Sequence, residues 1–141
     1  MRAVFIGASL LARATTELLV EEGHEVVIVE KDLDVIETYA DQYDCSFLHG
    51  DGSRPAVLED VDPNSTDCLY CVSNDDTANI LAAVVAKSME FSKIVVRVED
   101  RDLLPVCKQL SIEHVIVPDL KVAKDLIAFG CGDSDNLDTF T

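Results

Sequence analysis

Residues Glu25 to Glu30 read Glu-Val-Val-Ile-Val-Glu, four consecutive β-branched side chains with no polar alternation. A strand with one face in water alternates apolar and polar residues, so an unbroken run fits an interior strand of a parallel sheet, covered on both faces. Parallel neighbours cannot be joined by a hairpin; each pair needs a crossover, usually a helix. The flanking sequence supplies such crossovers. Arg2 to Ile6 is a short apolar run closed by Gly7, and Leu10, Leu11, Ala14, Leu18 and Leu19 then recur at helical spacing before Gly23. After the β-branched run, Asp32 caps a helix whose residues Val35, Ile36, Tyr39 and Ala40 share one face, and Cys45 to His49 forms a third strand.

The alternation continues to the end of the chain. Pro55 opens a short helix through Leu58, Asp62-Pro63-Asn64-Ser65 is a turn, and Cys68 to Val72 is the fourth strand. The helix from Asp76 to Met89 is nearly unbroken in apolar residues between Ile80 and Ala86, which predicts cover on more than one side, another copy of the chain included. Lys93 to Val98 is a fifth strand, Asp100 to Leu110 a helix, His114 to Val117 a sixth strand, and Pro118 to Phe129 a last helix. The reading is an α/β, doubly wound, Rossmann-like parallel six-stranded sheet with helices on both faces and right-handed crossovers. Residues 1–129 form that domain, and the Gly-, Asp- and Ser-rich stretch 130–141 is expected to be a flexible tail or linker.

Composition narrows the function. Of 141 residues, 27 are acidic and 11 basic, a net charge of −16, the wrong sign for neutralising phosphates. Nucleic acid is therefore excluded as a partner. The charge suits solubility, or steering toward a basic partner such as the cytoplasmic loops of a membrane protein. No apolar run approaches the roughly 20 residues of a membrane span and no signal-peptide pattern opens the chain, so a cytoplasmic chain without direct membrane insertion is expected. Five cysteines are an odd number, and Cys45, Cys68 and Cys71 lie in apolar, strand-like runs, which fits a reducing compartment. Cys68 and Cys71 form a C-x-x-C pair, but on a strand they point to opposite faces, and His24, His49 and His114 are scattered; no metal site is expected.

In an open parallel sheet, ligands bind beyond the carboxyl ends of the strands where strand order reverses. After the first strand comes Gly7-Ala8-Ser9-Leu10-Leu11-Ala12, in the place of a G-x-G-x-x-G fingerprint but keeping only its first glycine. Gly7 allows the tight turn. Ser9 stands where a glycine lets backbone approach a pyrophosphate, and its hydroxyl is a candidate donor to a phosphate beside the helix amides; Ala12 retains the close helix packing. Glu30 closes the second strand 23 residues after Gly7, near the spacing at which a carboxylate binds the adenosine ribose hydroxyls and repels a 2′-phosphate, which favours NAD or simple adenine nucleotides over NADP. Lys31 follows it. Asp51, next to Gly52, lies in the loop after strand three, and Ser73, Asn74 and Asp75 in the loop after strand four. Arg97 ends strand five, facing either a phosphate or Glu99 and Asp100.

Glu21-Glu22-Gly23-His24, Val29-Glu30-Lys31-Asp32, His49-Gly50-Asp51-Gly52, Ser73 to Asp76 with Asn79, and Val96-Arg97-Val98 follow one another in a fixed order. In that order and spacing, from Arg2 to about Pro118, the chain resembles the nucleotide-binding N-terminal domain of Trk/Ktr-type potassium-uptake regulators, the RCK or TrkA-N family. The resemblance implies adenine nucleotide (AMP, ADP or ATP) or NAD(H) as ligand. Glu30 would lie on the ribose, Asp51 near the adenosine and the loop from Ser73 near the phosphates.

It also implies a regulatory domain that is a homodimer or higher homo-oligomer. Such a domain would control a membrane-embedded potassium channel or transporter subunit from the inner face of the membrane. The residues alone leave two alternatives, a dimerisation scaffold with a vestigial cleft and a fragment of an NAD-dependent oxidoreductase. An enzyme is not expected, because a dehydrogenase needs a substrate domain and a hydrolase a G-x-S-x-G elbow, and neither is present in this stretch.

Overall fold

In the computed structural model, which describes residues 1–132, the run from Val26 to Val29 is buried along its whole length, at 8% exposure or less. It lies in strand β2 (Glu25–Glu30), one in from the edge of a six-stranded, all-parallel sheet. The other strands are β1 (Arg2–Ile6), β3 (Ser46–His49), β4 (Cys68–Cys71), β5 (Ile94–Arg97) and β6 (His114–Ile116), in spatial order β3-β2-β1-β4-β5-β6. Strand order reverses between β1 and β4, where Ala3 to Ile6 pair with Cys68 to Cys71. That reversal opens a crevice beyond the carboxyl ends of the strands.

Strand β1 shows how the two layers form. Val4 and Ile6 point into one cluster, with Leu58 of α3 (Pro55–Asp60), Ala82, Ala83 and Ala86 of α4 (Asp76–Ser88) and Cys107 of α5 (Leu104–Gln109). Ala3 and Phe5 point into the other, with Ala12 of α1 (Leu10–Glu21), Val26 and Ile28, and with Val35 of α2 (Leu33–Tyr39) packed against them. Phe5 stacks on Tyr70 with ring centroids 4.6 Å apart. Helices therefore cover both faces of a doubly wound α/β sheet. As expected for a strand, Cys71 joins the first cluster while Tyr70 and Val72, its neighbours, join the second.

Two expectations change. The helix expected from Asp100 to Leu110 is two pieces, a 3₁₀ turn at Arg101–Leu103 and α5, because Pro105 lacks the N–H that would continue one ladder. The last helix, α6 (Pro118–Gly130), runs through Gly130, the first residue of the expected tail; residues 133–141 of that tail lie outside the described residues. The apolar helix α4 is half covered: Ala82, Ala83 and Ala86 are buried and Val85 packs on the core, while Leu81 is 51% and Val84 37% exposed. No described helix is long and apolar enough to cross a membrane.

Candidate functional site

The chain leaves β1 through Gly7, whose φ of +95° lies in the region that favours glycine. A Cβ there would lie 2.8 Å from the Cβ of Ser73 and 3.1 Å from its Cα, so the loops after β1 and β4 abut at the reversal point. Ser9 is the N-cap of α1, accepting from the amide of Ala12 at 3.2 Å. Its hydroxyl donates its single hydrogen to the carbonyl of Val72 at 2.6 Å and is buried. This hydroxyl, a candidate donor to a phosphate, here ties α1 to the end of β4. Ala12 is fully buried, as the close packing of α1 on the sheet demands. Leu11 packs on the core and Leu10 is 70% exposed. What these two offer a ligand is their amides, which open the helix and have no acceptor within it.

Glu30 bridges two loops. One carboxylate oxygen accepts from the amide of Ala8 at 3.0 Å and the other from the amide of Asp32 at 2.8 Å, and its own carbonyl accepts from the amide of Gly50 at 3.0 Å. Each carboxylate oxygen keeps a further lone pair for a donor such as a ribose hydroxyl. Beside it Lys31 is exposed, with its carbonyl accepting from His49 Nε2 at 3.0 Å.

In the loop after β3, Asp51 Oδ1 accepts from the Ser53 amide at 2.9 Å and the Ser53 hydroxyl at 2.7 Å. These bonds, the backbone one foremost, hold the Asp51 carboxyl below its usual range, so it is ionised at neutral pH. Gly52 is pressed onto β1: a Cβ there would stand 2.4 Å from Ile6 Cγ2.

After β4 the backbone of Ser73 is held by Asn79, a side chain 1% exposed on α4. Asn79 Oδ1 accepts from the Ser73 amide at 2.8 Å and its hydroxyl at 2.7 Å, and Nδ2 donates to the carbonyls of Ser73 at 2.9 Å and Arg97 at 3.0 Å. Asp75 caps α4 by accepting from the Ala78 amide at 3.1 Å.

These loops enclose a cavity of about 310 Å³ at the reversal point. Gly7, Glu30, Lys31, Asp51, Gly52, Ser73, Asn74 and Asp75 line it, together with Ile6, Val29, Gly50, Ser53, Ala78 and Ala82. Ala8, Ser9, Leu10, Leu11 and Arg97, expected at the site, are not among its lining. Arg97 donates to Asn74 Oδ1 at 2.7 Å and forms an ion pair with Glu99, one of the two pairings expected for it. Ala78 and Ala82 went unforeseen, although their spacing of four residues puts small side chains in line on one helix face. Asn79, noted only as part of the motif series, supports the β4 loop from behind.

A second depression of about 190 Å³ lies at the opposite edge, by Lys87, Lys93 and His114; Lys87 Nζ is engaged there by the Ser111 carbonyl at 2.7 Å. Among the described residues no group of three or more His, Cys, Asp or Glu is gathered for a metal. Burial pushes the thiol of Cys45 up to about 11 and that of Cys71 up to about 12, and raises those of Cys68 and Cys107. They are protonated at neutral pH and behave as packing groups.

A cleft of this shape in a 3-2-1-4-5-6 sheet is shared by many nucleotide-binding proteins, and the family model settles which lineage this one is. The TrkA-N domain model matches residues 3–118. The chain belongs to the TrkA-N domain family. This TrkA-N chain is 27% identical to a Trk system potassium uptake protein TrkA homolog of Methanothermobacter thermautotrophicus, over 98% of its own length and 69% of that protein's. It is also 27% identical to the Trk system potassium uptake protein TrkA of Vibrio alginolyticus, over 84% of its length and 28% of that protein's.

Among solved structures, the NAD(P)-binding domain of an exopolyphosphatase-related protein from Archaeoglobus fulgidus superposes with a TM-score of 0.80 at 17% identity, covering 89% of this chain and 93% of that one. The Kef C-terminal domain of Shewanella denitrificans in an AMP-bound form gives 0.79 at 17%, covering 99% and 86%. The GsuK channel bound to NAD gives 0.75 at 15%, covering 82% and 21%. At these identities the likeness confirms the Rossmann-like fold of the TrkA-N domain.

Proposed function

We propose that this TrkA-N chain is a regulatory nucleotide-binding domain or subunit of a potassium channel or uptake transporter, binding an adenine nucleotide or NAD(H) in the cavity between β1 and β4. The observation that carries the reading is Glu30. It lines the cavity, 23 residues after Gly7, with its carboxylate fixed by the amides of Ala8 and Asp32. A ribose would set its hydroxyls against that carboxylate, Asp51 and Gly52 would flank the adenosine, and phosphates would lie between the Ser73–Asp75 loop and the amides opening α1. No catalytic step is needed: a ligand with different affinities for two arrangements of a pair of domains is enough to bias a transporter.

The relatives are potassium uptake proteins and two of the solved neighbours carry AMP or NAD, which supports this reading. The exposed Leu81 and Val84 of α4, with Val106 and Leu110 after it, supply an apolar face for pairing with a second copy. The domain would act in the cytoplasm at the inner face of the membrane, through its transporter partner. Calorimetric titration with AMP, ADP, ATP and NAD tests the reading. Glu30→Ala is expected to weaken binding by about 1–3 kcal/mol, the scale of lost bonds to a charged acceptor, and to gain tolerance for a 2′-phosphate. Affinity unchanged in Glu30→Ala removes the ribose role, and a chain that pairs without binding any of the four ligands is a scaffold.

A further inference from the structure

The cavity accounts for one half of the crevice that this strand order creates. A doubly wound sheet of this order is built from two mononucleotide-binding halves, and a dinucleotide lies across the reversal point with one nucleotide on each. All three loops of the first half line the cavity: Gly7 after β1, Glu30 and Lys31 after β2, and Gly50 to Ser53 after β3. From the second half the β4 loop, Ser73 to Asp75, reaches it, with Ala78 and Ala82 of α4 behind; among the described residues nothing from the loop after β5 does.

The carboxyl ends of β4 and β5 are occupied by Arg97. Its Nη1 donates to Asn74 Oδ1 at 2.7 Å and to the Ser73 carbonyl at 3.3 Å, and its Nη2 is paired with the Glu99 carboxylate. The side chain is only 13% exposed, and among the described residues its buried Nε has no hydrogen-bond partner. Behind it the Asp76 carboxylate accepts from the amides of Glu99 and Asp100, each at 2.9 Å, so the loops after β4 and β5 are stitched together twice. A second nucleoside over these strand ends has to displace the guanidinium and strand Glu99 and Asn74. An adenosine mononucleotide in the cavity has no need to displace the guanidinium, since neither Arg97 nor Glu99 lines it. The cavity is also small, at the low end of the roughly 300–1,000 Å³ typical of ligand sites. Glu30, Asp51 and Asp75 line it against a single amine, Lys31, which leaves little cation for a long phosphate chain.

We infer that Arg97 sets the length of ligand this cleft accepts: latched to Asn74 and Glu99, it keeps the second half closed, so that the site selects an adenosine mono- or diphosphate over the dinucleotide. The inference rests on the cavity being an adenine-nucleotide site. The test titrates the whole chain with AMP, ADP and NAD, as wild type, Arg97→Ala and Glu99→Gln. The wild type is expected to bind AMP or ADP about ten-fold more tightly than NAD, the equivalent of one charge-assisted contact displaced. Arg97→Ala is expected to narrow that ratio by roughly five- to ten-fold in favour of NAD, a loosening of the Ser73–Asp75 loop being common to both ligands and cancelling in the ratio.

Glu99→Gln keeps the arginine and loses the ionic latch, so it shifts the ratio the same way by a smaller factor. It decides the matter if Arg97→Ala fails to fold by circular dichroism. A wild type that prefers NAD, or a ratio that neither substitution moves, overturns the role of Arg97 while leaving the adenine site standing. Absence of binding by all three ligands overturns both.

Discussion

Asn79 is the side chain on which the second wall of the cavity depends, and its replacement separates that role from simple core packing. Leucine at this position is close to isosteric and removes all four hydrogen bonds. The Ser73 hydroxyl is half-buried and can turn to water, and the Ser73 carbonyl keeps its bond from Arg97 Nη1 at 3.3 Å. The Ser73 amide and the Arg97 carbonyl lose the partner the structure gives them. At about 1–3 kcal/mol for each polar group left unsatisfied, Asn79→Leu is expected to cost about 2–4 kcal/mol, tempered by the apolar volume it adds.

Asn79→Asp differs in a way that can be read with pH. It preserves the acceptor facing Ser73 but sets a second oxygen against two carbonyls, so burial and repulsion raise its pKa above the unfolded value of about 3.9. A group raised on folding stabilises most below its unfolded pKa, and that contribution is lost as pH rises through the folded value. Urea unfolding at pH 5 and pH 8 should therefore show Asn79→Asp recovering part of its deficit at pH 5, when its protonated oxygen can donate. Asn79→Leu shows no such recovery. Equal deficits for the two variants at both pH values, or a leucine variant as stable as wild type, refute the claim that this amide holds the β4 loop.

The turn at Gly7, the buried thiol of Cys71 and the exposed side of α4 each carry an expectation of their own. Gly7→Ala is expected to lose about 2–4 kcal/mol in chemical denaturation, from about 1–2 kcal/mol of left-handed backbone strain plus a contact with the Ser73 backbone that cannot rotate away; wild-type stability would mean the β1 and β4 loops do not abut. Cys71 is fully buried and burial pushes its thiol from near 9 up to about 12, so its contribution is intact below pH 9 and fades as pH climbs toward 12. Cys71→Ala should flatten the alkaline loss of stability by up to one proton, about 1.4 kcal/mol per pH unit, as measured by urea midpoints between pH 8 and 11. If Leu81 and Val84 form the proposed pairing face, Leu81→Glu combined with Val84→Glu should lower the mass in light scattering and make the unfolding midpoint independent of protein concentration; a drop in the midpoint with no change in mass would place this face inside the fold instead.

The layer architecture was legible because its signal is local: four β-branched residues in a row admit few environments, and a helical period between such runs forces parallel pairing. Element ends were less so. Pro105 is visible in the sequence, yet whether a helix restarts or kinks there depends on what the preceding turn can bond, and here the Leu104 amide closes a 3₁₀ turn onto Arg101. The loops carrying Glu30, Asp51, Gly52 and Ser73 to Asp75 could be placed at one cleft from topology alone, since every parallel strand ends on the same edge.

What sequence could not supply was the partner of each polar group once the loops meet. Ser9 looked free to reach a phosphate, but its hydroxyl bonds a carbonyl 63 residues away, a contact that exists only after β4 docks beside β1. Arg97 is the instructive contrast. Residues two apart on a strand share a face, so its pairing with Glu99 was one of the two readings open from spacing alone. The bond to Asn74 comes from a different loop and was not. Those two bonds together convert an ordinary strand-end ion pair into a closure across half of the crevice, and it is the non-local one that gives the arginine something to exclude.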